Sequence, residues 1–154
     1  MGTLSAPSQP HGYSGTPLPK KLGIKAGFRV LTLDAPPSFP DLLVPLPDDV
    51  VVTPSTLGML SAGAAAQPSA DLLVAFFVSR PAIIGSWPPI VAAVGPLGVV
   101  WVAWPKKSSG VTTDITEDAL RADILPTGWV DVKVCAIDAT WSGLKFVLRR
   151  ERRP

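Results

Sequence analysis

The sequence predicts an α/β protein: a mostly parallel sheet with helices on both faces, finished by an antiparallel hairpin at the C-terminal end. Three observations carry this prediction. Several short runs are apolar at every position rather than at alternate ones, which marks strands buried on both faces. The segments between those runs hold helix start and stop signals. The last two β-rich runs are separated by a short polar link that suits a hairpin. A chain of 154 residues is long enough to bury one substantial core, so a single domain over residues 13–150 is expected.

Residues 1–12, rich in Ser, Pro, Gln and Gly and without periodicity, read as a disordered tail. From Tyr13 to Ile24 the text is a turn-rich lead-in with a helical turn around Pro19 to Leu22. Phe28 to Asp34 is the first strand, stopped by Pro36-Pro37. Phe39 to Val44 follows as a short helix, with Ser38 as its cap and Pro45 as its stop. Val50 to Thr53 is a second strand. The Ala/Gly/Ser-rich stretch from Pro54 to Ser69 reads as an irregular connection or a weak helix.

Leu72 to Val78 is the strongest strand, apolar on both faces and closed by Ser79-Arg80. Ala82 to Val94 is a helix compromised by Pro88-Pro89, and Gly98 to Trp104 is the next buried strand. Asp114 and Glu117 have the spacing of a helix start, so a short helix is expected over Thr116 to Ile124 before Pro126 and Gly128. Val130 to Ile137 and Gly143 to Arg149 are the final strands, on either side of Asp138 to Ser142. This order is the plan of a small Rossmann-like sheet of the methyltransferase type, with one β/α unit absent between Pro54 and Ser69.

Composition limits the chemistry. The formal charge of +2 depends on the last six residues, which contribute +3 (four arginines less one glutamate) and leave −1 for the body. Residues 151–154 therefore read as the end of a solvated basic tail, and the basic pI gives no strong nucleic-acid signal. Cys135 is the lone cysteine, expected as a plain core residue, and His11 is the lone histidine. That pair cannot supply a His/Cys zinc site, a Cys–His couple in the fold or a Ser-His-Asp triad. Pro81 to Trp104 carries no charge and is long enough to span a bilayer, but Pro88-Pro89 and Gly95-Pro96-Leu97-Gly98 break it, so no membrane segment is expected. Met1 to Pro10 has neither the basic start nor the apolar centre of a secretory leader, and with a single cysteine a cytoplasmic setting is expected.

Function is expected at the carboxyl ends of the parallel strands, where open α/β sheets bind ligands. That edge should collect Asp34 after the first strand, Ser79 and Arg80 after the central one, and Lys106, Lys107 and Ser108 after the next. Asp138, Thr140 and Trp141 join it from the hairpin, and Tyr13, Ser14, Lys20 and Lys21 of the lead-in could fold over it. Lys106-Lys107-Ser108-Ser109-Gly110 offers mobile ammonium groups, hydroxyls and a turn glycine, the parts of a phosphate or nucleotide site; the alternative is a solvated loop. The P-loop spacing is absent. Trp104 and Trp141 could wall a planar ligand, or simply belong to the core.

The first βα turn argues the other way. Dinucleotide and adenosyl-methionine sites of this architecture place glycines there to bring backbone against the cofactor. Here the text is Asp34-Ala35-Pro36-Pro37-Ser38, in which two prolines remove N–H donors.

Three blocks of the chain, Gly12 to Lys25, Trp104 to Gly110 and Thr140 to Phe146, resemble a bacterial domain-of-unknown-function family, the 3052 family. The likeness spans about Gly12 to Arg150 and implies a small bacterial cytoplasmic protein with a trimmed methyltransferase-like Rossmann domain. It implies no reaction and no catalytic residues. The family's first strand leads into an Asn-Ala-Pro turn where this chain has Asp34-Ala35-Pro36, which adds a carboxylate. The resulting expectation is a binding or regulatory protein with an anion-accepting edge and an unknown cofactor. The alternatives are an atypical adenosyl-methionine-dependent methyltransferase and a protein–protein interaction module.

Overall fold

The computed structural model describes residues 15–62 and 68–154, with the side chains of residues 61 and 62 outside that description. Six strands form one sheet in the order β2-β1-β3-β4-β6-β5. They are β1 (Arg29–Leu33), β2 (Val51–Ser55), β3 (Leu72–Phe76), β4 (Val99–Pro105), β5 (Trp129–Ala136) and β6 (Trp141–Leu148). β2, β1, β3 and β4 are mutually parallel, and β6 runs antiparallel to both β4 and β5. This is the mixed, mostly parallel α/β plan that the apolar runs predicted. β3 is buried at every position because both faces of the sheet are covered.

Helices α1 (Leu18–Leu22) and α2 (Phe39–Leu42) lie on one face, where Leu18, Leu22 and Phe39 pack on Leu72, Val74, Phe76 and Trp101. Helices α4 (Arg80–Val94) and α5 (Glu117–Ile124) cover the other, packing Ile83, Trp87, Ile90, Leu120 and Ile124 on Leu73, Val100, Val102 and Phe146. On the first face the Trp101 indole N–H donates to the Leu22 carbonyl over 2.9 Å. This satisfies a buried polar group and fixes α1 to the sheet.

Four local expectations need correction. α4 runs unbroken through Pro88 and Pro89. Each proline withholds one helix hydrogen bond, but the carbonyls released belong to Ile84 and Gly85 on the exposed side. Ile83, Trp87, Ile90 and Val94 form a buried stripe that holds the segment helical, so packing overrides propensity. α5 is capped by Thr116, whose hydroxyl accepts from the Ala119 N–H at 3.0 Å, and not by Asp114. Ser38 makes no side-chain cap at α2, which is a single turn ending at Leu42. Trp141 and Ser142 belong to β6 and not to the hairpin link.

Helix α3 (Leu57–Ala62) occupies part of the stretch expected to be irregular or weakly helical, whose residues 63–67 lie outside the described ones. No strand among the described residues follows β2 on its outer side, so β2 is the sheet edge where a further β/α unit would otherwise add a strand. Its Pro54 is tolerated there because an edge strand need not donate on both sides.

Candidate ligand-binding edge

The strand order reverses between β1 and β3: β2 lies to one side of β1, and β3 then β4 to the other. That switch point is where an open parallel sheet leaves a crevice beyond its carboxyl ends. Leu33 pairs with Ala75, so Asp34 and the Phe76–Ser79 segment flank the crevice. Lys106 follows β4, two strands from β1 and thus roughly 10 Å to the side at ~4.8 Å per strand. The topology brings Asp34, Ser79, Lys106, Lys107, Ser108, Asp138, Thr140 and Trp141 to this one edge.

Asp34 has φ +54°, in the left-handed region, with its N–H donating to the Ser55 carbonyl over 3.1 Å. Aspartate tolerates that conformation better than most residues. The tight turn that the first glycine of a Gly-x-Gly-x-x-Gly fingerprint supports is therefore still made. The next two glycine positions, counted from Asp34, hold Pro36 and Phe39. Pro36 replaces the glycine that would let backbone approach a pyrophosphate. Phe39, 1% exposed, stands edge-to-face on Phe76 with ring centroids 4.9 Å apart. Phe76 in turn meets Trp141 at 5.0 Å. Side chains of the first turn, of the end of β3 and of the start of β6 thus form one aromatic row at the edge. The residues present do not fit the glycine-cradled mode of holding a nucleotide cofactor. The row was missed in the sequence, although counting the fingerprint from Asp34 would have put a bulky side chain at its third glycine.

The loop after β4 is shaped by its own hydrogen bonds. The Lys106 N–H donates to the Thr140 carbonyl at 2.7 Å, tying the loop to the hairpin. Residues Lys107–Ser109 make one 3-10 turn, and Gly110 closes it with φ +82°. The Ser109 hydroxyl donates to the Lys106 carbonyl and accepts from the Val111 N–H, so Ser109 organises the turn. Lys107 and Ser108 are exposed and Lys106 is half-buried. Among the described residues no carboxylate pairs with either lysine. The donors available to an anion here are ammonium and hydroxyl groups of side chains.

The remaining expected residues divide by role. Arg80 turns its guanidinium to Asp123 on α5 (Nε–Oδ2 2.7 Å, Nη2–Oδ1 3.0 Å), and its backbone N–H donates to Asp114 at 2.7 Å. It joins α4 to α5. Ser79 is exposed at the N-terminus of α4 and makes no side-chain cap. The Asp138 carboxylate accepts from the N–H groups of Thr140 and Trp141 at 2.8 and 2.7 Å, holding the hairpin in shape with one oxygen. Trp104 and Trp141 cannot share one wall. Pro105 pairs with Trp141 and Trp104 with Ser142, so alternation sends Trp104 into the α4/α5 core and Trp141 to the opposite face. Tyr13 and Ser14 lie outside the described residues, whereas Lys21 reaches the edge and donates from Nζ to the Ala136 carbonyl at 2.8 Å.

Cys135, half-buried on β5, has its thiol pKa pushed up by burial, against the opposing pull of Lys21, Lys133 and Lys106. No group of three metal-ligating side chains occurs among the described residues, and no described helix is long and apolar enough to cross a membrane.

No family model matches the chain, and no curated protein sequence matches it. The similarity to solved structures is in the fold. A SAM-dependent methyltransferase from Aquifex aeolicus superposes with a TM-score of 0.63 at 12% identity, covering 84% of this chain and 86% of that one. The DhpI–SAH complex superposes at 0.54 with 15% identity over 87% and 83% of the two chains. Aeropyrum pernix fibrillarin with bound S-adenosyl-L-methionine gives 0.50 at 17% identity over 82% and 69%. The sheet is methyltransferase-like; identities this low carry no activity with them.

Proposed function

We propose that this protein is a binding or regulatory domain built on a methyltransferase-like sheet, taking a small anionic ligand at its carboxyl edge rather than transferring methyl groups. Lys106, Lys107 and Ser108 supply the donors to a phosphate, free or borne by a nucleotide. Asp34, Ser79, Asp138, Thr140 and Trp141 border the site, while Arg80 buttresses it from behind through Asp123. The observation that carries this reading is the first βα turn, where Pro36 and the buried Phe39 occupy the positions at which a nucleotide cofactor needs bare backbone.

A second reading, an atypical adenosyl-methionine-dependent methyltransferase, draws support from the left-handed Asp34, which keeps the tight turn despite the prolines. Thermal melts separate the two, because a ligand that binds only the native state stabilises it by about 2.7 kcal/mol at a hundredfold excess over Kd. Phosphate or a nucleoside triphosphate is expected to raise the melting temperature of the wild type but not of Lys106→Ala/Lys107→Ala. The phosphate and nucleotide arms distinguish a phosphate site from a nucleotide site. Stabilisation by S-adenosyl-methionine or its demethylated product, with none by phosphate or nucleotide, would overturn the binding-domain reading.

A further inference from the structure

The two kinds of basic residue occupy different parts of the molecule. The chain has seven lysines and seven arginines, and every ion pair among the described residues uses an arginine. All twelve carboxylate side chains lie within the described residues, so no undescribed acid can neutralise a lysine.

Four lysines converge on the face of β5 and β6 beside α1. Lys133 and Lys145 are directly opposite each other across the strand pair. A β-carbon placed on Gly23, the residue that ends α1, would lie 3.7 Å from the Lys145 ammonium, so that group sits under the α1 end. Lys25 follows two residues later and is exposed. Lys21 holds the Ala136 carbonyl from above. Like charges opposed across a strand pair are destabilising, and here no carboxylate relieves them. The Lys145 pKa is lowered, first by burial and then by Lys133 and Lys25. Asp131, the acid nearest along β5, is on the other face and bound to Arg121 at 2.9 Å. A bulge between Asp131 and Lys133 sets the two on opposite sides.

We infer that this face of β5 and β6 is a docking surface for a single-stranded nucleic acid, whose successive phosphates are taken by Lys21, Lys25, Lys133 and Lys145. Length argues for an oligomeric anion. From Ala136, where Lys21 is anchored, to Lys133 is three strand residues or about 10 Å of backbone, a span long enough for more than one phosphate of a chain. Half-exposed Trp141, on the same side of β6 as Lys145, offers a ring for a base. A bilayer is less favoured because the apolar side chains exposed beside Lys133 are only the valines Val132 and Val134, small for a membrane wedge. The inference does not depend on Lys107 or Ser108 and stands apart from the phosphate site proposed above.

The test is fluorescence anisotropy of a labelled oligothymidylate between about 50 and 200 mM salt. With ~0.7 log units per phosphate neutralised on a single strand, four lysines predict a slope near −2.8, roughly a 50-fold loss of affinity across that range. Lys133→Gln/Lys145→Gln should bind more weakly and halve the slope, to about a 7-fold loss. Lys25→Gln, outside the sheet, should lower the slope by about 0.7 and guards against a folding defect in the double variant. Lys106→Ala/Lys107→Ala should keep most of the slope, so failure here and failure of the phosphate site are distinguishable. Four results would overturn the inference: no binding at about 50 mM salt; a slope unchanged in the double variant; dependence on the C-terminal arginines instead; or sedimentation with anionic phospholipid vesicles without oligothymidylate binding.

Discussion

The face built by α4 and α5 and the face built by α1, β5 and β6 use positive charge in opposite ways. On the first, Arg80 bridges to Asp123, while Arg121 gathers Glu117, Asp118 and Asp131. These planar guanidinium forks tie α4 to α5 and α5 to β5, and their charge is spent within the molecule. Both arginines have their pKa raised by the hydrogen-bonded carboxylates around them. On the second face, Lys21, Lys25, Lys133 and Lys145 have no acid, and two of them oppose each other. A formal charge of −1 on the body averages these two faces and hides both. Charge that is paired holds a fold together, whereas charge left unpaired is available to something outside it.

The contrast can be broken most forcefully at the point where α1 joins the sheet. Trp101 is fully buried and donates to the Leu22 carbonyl beneath the lysine face. Trp101→Ala should lower unfolding free energy by about 3–5 kcal/mol, read from denaturant midpoints, and loosen the support of Lys21 and Lys25. A smaller effect of opposite sign is expected at the lysine pair. Lys133→Gln removes a cross-strand repulsion and should raise stability by roughly 0.2–1 kcal/mol at neutral pH. Asp123→Asn on the arginine face should lower it.

The lysine pair also makes a pH prediction. Lys145 has a lowered native pKa, so the unfolded chain binds more protons just below the ordinary lysine range. Stability conferred by losing that proton therefore rises with pH through this alkaline window. The rise should flatten in Lys145→Gln, as melts across the window would record.

The sheet was largely legible because its signal is local: Leu72 to Phe76 can be read as a doubly buried strand without knowing its neighbours. The course of α4 through Pro88-Pro89 was not, since what holds it is a buried stripe packed on residues far away in sequence. At the edge, the position of each expected residue followed from strand direction, but its engagement did not. Arg80 meets Asp123, which is 43 residues away. Trp104 and Trp141 were separated by a register that only the β4–β6 pairing sets. Asp34 shows the limit most clearly, because its left-handed backbone cannot be read from Asp-Ala-Pro-Pro alone. The lysine face was invisible for a related reason: its members come from α1, β5 and β6, and a charge count along the chain dilutes them.

Amide chemical-shift mapping tests most directly whether anion recognition has moved from the first βα turn to the lysines of the edge. Titrated phosphate is predicted to move the Lys106, Lys107 and Ser108 amides, while the demethylated product of S-adenosyl-methionine leaves Asp34 to Phe39 still. Saturable movement of Ala35, Ser38 and Phe39 by that product, with phosphate inert, would contradict the account.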